Sequence, residues 1–144
     1  SQPINADYKL LDVQVVKNNF SKKFKNSRSL YYIKRLRRIK NNEIYLISRA
    51  YIPIEIIGKN VNKNIFKDKN LLNVLMNKFK IKISKSEQEV SAILLSNNDA
   101  DLFKTTYGYP AILNIWYMYD ISGKLVLIDQ EITVKPIKVE NHYQ

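Results

Sequence analysis

Apolar and polar positions alternate with a period of two along most of this chain and with a helical period along one stretch. Leu10 to Val16 reads as a strand that ends at Asn18-Asn19. Ser21 to Asn26 reads as a short helix. Leu30 to Arg38, rich in Tyr and Ile, and Glu43 to Ile52 read as strands. Asn41-Asn42 between them is a turn signal, so the two form a hairpin. Pro53 and Gly58 interrupt the regular pattern after this hairpin, and Asn60 to Asn64 is polar loop. Leu71, Leu72, Leu75, Met76 and Phe79 then share one helix face, with Asp68 or Asn70 as the N-cap. Further on, Glu87 to Leu95 reads as a strand, and Asn98 or Asp99 caps a short helix running to Thr106. Gly108-Tyr109-Pro110 breaks that helix. Ala111 to Tyr119 and Lys124 to Val134 are strands around the turn Ser122-Gly123.

The order strand, short helix, hairpin thus occurs twice, offset by roughly eighty residues. A duplicated β-α-β-β unit predicts an α+β domain with a six-stranded, mostly antiparallel sheet. Its helices are expected on one face, leaving the other face open to a ligand.

The chain has 144 residues, 45% of them hydrophobic, which suits one compact domain over residues 1–144 with a real core. Cysteine is absent, so no disulfide forms, in keeping with a reducing, cytoplasmic setting. No apolar run is long enough to span a bilayer, and no membrane partner is expected. The sequence starts at Ser1 rather than Met and reads as a processed product or an excised piece of something larger. A net charge of +11 invites a nucleic-acid reading. Lys, Asn and Ile are abundant throughout, however, and only Lys34-Arg35-Leu36-Arg37-Arg38 is dense in charge.

The inventory for catalysis is thin. The single histidine, His142, lies in the polar tail and cannot complete a zinc site without cysteine or clustered carboxylates. No serine has an adjacent base, and the three glycines are isolated, which excludes a phosphate-binding loop. Asp99 and Asp101 are explained by the helix start they sit on. The strongest polar feature is Arg35 with Arg37. Strand alternation puts both on one face, about 6.5–7 Å apart. Their planar forks suit a shared carboxylate or phosphate. Tyr31 and Ile33 extend the same face. The alternatives are a solvated strand face, or pairing with Asp129 or Glu131 on another strand. The helix start at Asn70 offers backbone N–H groups to an anion, with simple capping as its alternative.

At these residues the chain resembles the UTRA domain, the effector-binding module of HutC-type regulators in the GntR superfamily of bacterial transcription factors. Tyr31-Tyr32-Ile33-Lys34-Arg35-Leu36-Arg37 resembles the family strand ending in Arg-x-Arg. Arg49-Ala50-Tyr51-Ile52-Pro53 resembles its Tyr-Leu-Pro strand end. Asp68 to Leu75 resembles the helix start, Phe79-Lys80-Ile81-Lys82-Ile83 the exit from it, and Tyr109-Pro110 with Tyr119 to Lys124 the final hairpin. The resemblance implies a chorismate-lyase-like fold and a domain that dimerises. It implies a small effector, commonly a sugar phosphate or organic acid, and DNA contact only through a winged-helix domain upstream of Ser1. It carries the phosphate-holding role to Arg35 and Arg37, with Asn70 where the family has Ser. Ser48 stands where Glu is frequent, and Leu127 where the last strand usually has Glu, so the sugar-reading end departs from the family.

The expected ligand-binding set is therefore Arg35, Arg37, Asn70, Tyr31, Ser48, Tyr119 and Glu131, with no cofactor and no catalytic residue. Of Trp116 and Tyr117, which face opposite ways, at most one joins Tyr119 in the pocket. Two other readings compete: a chorismate-lyase-like enzyme using Glu131 as its acid, and a basic nucleic-acid-binding module.

Overall fold

The computed structural model describes residues 7–20, 22–39, 43–67, 70–134 and 142–143. The turn expected at Asn41-Asn42, and Asp68 as a cap, lie outside them. Six strands are present: β1 (Asp7–Lys17), β2 (Ser29–Ile39), β3 (Glu43–Pro53), β4 (Ile83–Leu94), β5 (Pro110–Asp120) and β6 (Leu125–Thr133). They form one antiparallel sheet in the order β1-β2-β3-β6-β5-β4. Each predicted strand is found, most of them longer than expected. The β5–β6 turn closes on Asp120, whose Oδ1 accepts from the Ser122 and Lys124 backbone N–H groups at 2.9 Å each. Gly123 takes φ 85°, a value that favours glycine.

The order of strands carries the duplication. β1-β2-β3 and β4-β5-β6 meet along β3 and β6, as two halves related by a twofold axis would. In both halves the connection between the first and second strands crosses the same face. In the first half Phe24 of the 18–28 loop packs with Leu30, Tyr117 and Ile128. In the second, α3 (Asn97–Phe103) packs Ala100 against Leu95, Ala111 and Ile132. Arg49 Nη2 donates to Asp99 Oδ1 at 2.5 Å and ties α3 to β3.

The segment linking the two halves crosses the opposite face. It contains α1 (Ile54–Ile57), a 3₁₀ turn (Lys63–Phe66), and α2 (Leu71–Asn73), which runs on as a π-helical turn over Val74–Lys78. Ile57, Phe66, Leu71 and Leu75 pack there on Tyr31, Ile33, Ala50, Ile52 and Leu127. The helices are therefore divided between the two faces rather than gathered on one. The face expected to be open has a partial roof, because the linker between halves has apolar residues of its own to bury. Two further contacts pin it: Tyr31 Oη donates to the Gly58 carbonyl at 2.6 Å, and Lys63 Nζ to the Val13 carbonyl at 3.3 Å. β4, at the far edge, stays exposed along nearly its whole length.

Two local expectations fail. Residues 22–26 form turns instead of a helix, since Phe24 and Asn26 take φ 56° and 67°, values no right-handed helix contains. The cap of α3 is Ser96, whose Oγ accepts from the Asp99 N–H at 3.3 Å, not Asn98 or Asp99.

Phe66 is fully buried between roof and sheet. Phe66→Ala is expected to cost about 3–5 kcal/mol. Urea unfolding should show a lower midpoint at unchanged slope; a midpoint within error of wild type would mean the roof adds little to the core.

Candidate functional site

Alternation and register bring two rows of side chains onto the roofed face. Arg35 pairs with Ser48, Ser48 with Glu131, and Glu131 with Asn114. The next row runs Ile33, Ala50, Asp129, Trp116. Polar groups from β2, β3, β5 and β6 thus meet at the middle of the sheet, beside the edge of the roof. A cavity of about 420 Å³ opens there. Arg35, Arg37, Asp129 and Glu131, with Tyr8, line its charged side. Met118 and Leu127 add apolar lining in the row beyond Asp129, Ile112 in the row beyond Glu131, and Leu72 from the roof.

Tyr8 arrives through an irregularity in β1. Leu10 pairs with Arg35 but Asp12 with Lys34, leaving Leu11 as an extra residue. A bulge of this kind shifts side-chain parity by one. It turns Tyr8 onto the cavity face, opposite Arg37. The Tyr8 ring lies 4.0 Å from the Arg35 guanidinium carbon and 5.2 Å from that of Arg37. A second irregularity, between Arg37 and Arg38 opposite β3, falls after the arginine pair, so Arg35 and Arg37 do share a face.

Arg35 retains 2% exposure and Arg37 8%. Burial pulls Arg35 below its ordinary value, while Tyr8, Asp129 and Glu131 act the other way. Arg35 Nη1 also makes a long contact, 3.4 Å, to the Phe66 carbonyl of the roof. Burial raises the Tyr8 hydroxyl, against the pull of the two arginines. Asp129 is raised by burial, although Ser48 Oγ donates to its Oδ1 at 2.7 Å and Arg35 stabilises its charge. Glu131 is pushed up to about 7 by burial and then by the neighbouring Asp129. Trp116 Nε1, donating to Glu131 Oε1 at 2.9 Å, and the two arginines offset only part of that. Burial thus favours the protonated form of both carboxyls, and the two guanidiniums facing them oppose that.

Of the seven residues expected in the pocket, Arg35, Arg37, Asn70 and Glu131 line the cavity. The other three do not. Tyr31 is on the right face, but the roof covers it and its hydroxyl is spent on Gly58. Ser48 is fully buried beneath Asp129 and acts on the cavity only through that carboxyl. Tyr119 lies on the opposite face, in the cluster of Tyr117 and Phe24, with Lys85 Nζ 5.1 Å from its ring centre. Trp116 is the member of the Trp116–Tyr117 pair that faces the cavity. The helix start also differs from expectation. Asn70 Oδ1 accepts from the Leu72 and Asn73 N–H groups at 2.8 and 3.4 Å, so the cap consumes the donors that an anion would need. Asp129 and Tyr8 complete the charged side. The sequence marks Asp129 only as a partner for the arginines, and nothing in the local pattern around Tyr8 marks it. Among the described residues no group of three or more His, Asp and Glu is placed to hold a metal ion.

The family model for the UTRA domain matches residues 5–134. A search of curated proteins finds no match. Among solved structures, the ligand-binding domain of a proposed GntR-family transcriptional regulator from Bordetella bronchiseptica is similar, with TM-score 0.82 at 12% identity over 97% of this chain and 92% of that one. A GntR-family transcriptional regulator from Enterococcus faecalis V583 gives 0.79 at 18%, over 93% and 99%. YydK from Bacillus subtilis subsp. subtilis str. 168, described as a possible transcriptional regulator, gives 0.79 at 16%, over 95% of this chain but 63% of that one. At these identities the likeness establishes the fold, the chorismate-lyase-like sheet shared by such regulator domains.

The raised Glu131 carboxyl makes stability depend on pH. From its ordinary 4.5 up to about 7 the native state keeps a proton that the unfolded chain has released. Stability then falls as pH rises through that window. Urea unfolding is expected to show a loss on the order of 2–3 kcal/mol between about pH 5 and 8. In Glu131→Gln the loss should be clearly smaller; equal losses in both proteins would remove Glu131 as the group responsible.

Proposed function

We propose that this chain, which belongs to the UTRA domain family, is the effector-sensing domain of a bacterial transcriptional regulator of the HutC type, and that the effector is a small anion bound in the roofed cavity. The reading is carried by one observation. Two guanidiniums, Arg35 and Arg37, stand side by side under the Tyr8 ring in a cavity that also has apolar walls. A phosphate or carboxylate meets the arginines through paired charge-assisted hydrogen bonds. The remainder of the ligand lies along Trp116, Met118 and Leu72. Asn70 contributes from the roof, through whatever its capping role leaves free.

Signalling follows from where the walls come from. Arg35, Arg37 and Glu131 belong to the sheet, whereas Asn70 and Leu72 belong to the linker segment between its halves. A ligand touching both binds most tightly to one setting of roof against sheet and so enriches that setting. DNA contact by a separate winged-helix domain would respond to the shift. A homodimer and a cytoplasmic location complete the proposal. Two facts are compatible with it: no helix among the described residues is long and apolar enough to cross a membrane, and YydK, the longer neighbour, is described as a possible regulator.

An enzymatic reading has one observation in its favour. A carboxyl held near 7 beside two arginines in a cavity has the character of a general acid. Incubation with chorismate decides between the two, since release of 4-hydroxybenzoate would make the domain a lyase.

The binding proposal is tested by thermal unfolding against sugar phosphates, phosphonates and small organic acids. A ligand at a hundred times its Kd adds about 2.7 kcal/mol. That raises the midpoint by roughly 2–4 °C per kcal/mol. Arg37→Gln, chosen because Arg35 is too deeply buried to truncate without disturbing the fold, is expected to weaken the active compound at least a hundredfold. An unchanged shift in that variant would take Arg37 out of the site.

A further inference from the structure

Residues 13–42 contain ten Lys and Arg and no Asp or Glu. The structure divides this run in two. Arg35 and Arg37 turn inward to the cavity, and the 17–28 segment turns outward. Lys17, Lys22, Lys23, Lys25 and Arg28 are all exposed. The loop sits at the end of the sheet where β1 stops and β2 begins. β5 stops, and β4 and β6 begin, at this same end. Lys82 and Lys124 are therefore added to it, both exposed. The Ile121 N–H donates to the Lys82 carbonyl at 3.0 Å, which holds the β5–β6 turn against the start of β4. The carboxylates Glu55, Glu87 and Asp120 share this end, and each is already engaged. Glu55 accepts from Ser27 Oγ at 3.2 Å, Glu87 pairs with Lys85 at 3.4 Å, and Asp120 closes its own turn.

The loop holds these cations on a built frame. Asn18 donates its side-chain amide to the carbonyls of Lys23, Phe24 and Ser27 at 3.3, 3.2 and 2.9 Å, and accepts from the Phe20 N–H at 3.0 Å. Phe24 drops into the core at 2% exposure, reached through a left-handed backbone that a phenylalanine adopts only at a cost. Packing and hydrogen bonds thus fix the backbone that carries five like charges within the 17–28 segment. Self-repulsion of that kind is relieved by a polyanion.

We propose that the 17–28 loop, with Lys82 and Lys124 beside it, is a docking surface for the phosphodiester backbone of duplex DNA. The loop's aromatics point to a duplex rather than a single strand. Phe24 is buried, and Phe20 packs edge-on to Tyr51 with ring centres 4.7 Å apart, so the loop presents no free ring for unstacked bases. Lysines without a base-reading partner contact phosphates and carry no sequence preference. This surface is independent of the effector cavity, which opens on the other face.

The test uses the 144-residue chain and a labelled duplex of arbitrary sequence, with binding followed by fluorescence anisotropy across a salt series. Each phosphate neutralised contributes about −0.9 to the slope of log K against log salt. Lys22→Gln/Lys23→Gln/Lys25→Gln is expected to make that slope shallower by about 2–3. Lys9→Gln/Lys67→Gln/Lys78→Gln, which removes the same charge elsewhere, should change it by less than about 1. Circular dichroism melts of both variants confirm that they remain folded. No salt-dependent binding at low salt overturns the proposal, as does an equal loss of slope in the two triple variants. Tighter binding to the matching single strand, or equally tight binding to polyglutamate, overturns the duplex assignment.

Discussion

A guanidinium buried in the middle of a sheet face needs compensating groups on every side, and Arg35 imposes that requirement on this fold. An ion of this size loses several kcal/mol on leaving water, even after its surroundings relax. The compensating groups come from three other elements. Tyr8 comes from β1, the Phe66 carbonyl from the roof, and Asp129 and Glu131 from β6, while Arg37 on the same strand adds a like charge that they must also offset. Neighbouring carboxyls would ordinarily repel each other strongly. Here the guanidiniums offset part of that repulsion, and burial disposes of the rest by holding Glu131 near 7. The bulge in β1, the linker's placement over β2 and the meeting of β3 with β6 all serve one cluster of charge.

The strands were legible because alternation is a local property. Arg35 and Arg37 were placed correctly on one face because they are two residues apart and the nearest irregularity follows them. Tyr8 was not legible. Counting by twos back from Val13 puts it on the wrong face, and the extra residue at Leu11 that corrects the count has no signature in the chain. Tyr119 was misplaced for the opposite reason. It is an odd number of positions from Trp116, so alternation alone sets the two on opposite faces. Tyr31 and Ser48 show a further limit: period two tells which face a side chain takes but not what lies over it. Tyr31 is sealed by the roof and Ser48 by Asp129, both contacts between residues far apart in sequence.

The duplication explains which helical segments went where. The strand order is the one that a twofold axis normal to the sheet, between β3 and β6, would produce, and such a relation puts the connections inside each half on the same face. The 18–28 loop and α3 obey this although only one of them is helical. The linker between halves has no symmetry mate and took the face left over. Its apolar side chains reach only part of that face, and the cavity is the remainder. The pocket thus follows from an unequal division of covering segments across an otherwise symmetric sheet, and its polar lining fills the strip between roof and exposed edge.

Charge along the chain has the same dual fate. The acid-free run from Val13 to Asn42 looks uniform as sequence, and its densest part, Lys34 to Arg38, is where a nucleic-acid contact would be sought first. Strand geometry withdraws Arg35 and Arg37 from solvent, leaving 2% and 8% exposure, and gives them to the cavity. The sparser part is the one that stays outside, because a loop clamped by Asn18 has no second face on which to hide its lysines. Net charge therefore says little about where an anion binds. The decision rests on whether a cation sits in a strand, where alternate positions are buried, or in a turn, where the backbone fills the interior and the side chains are left to water.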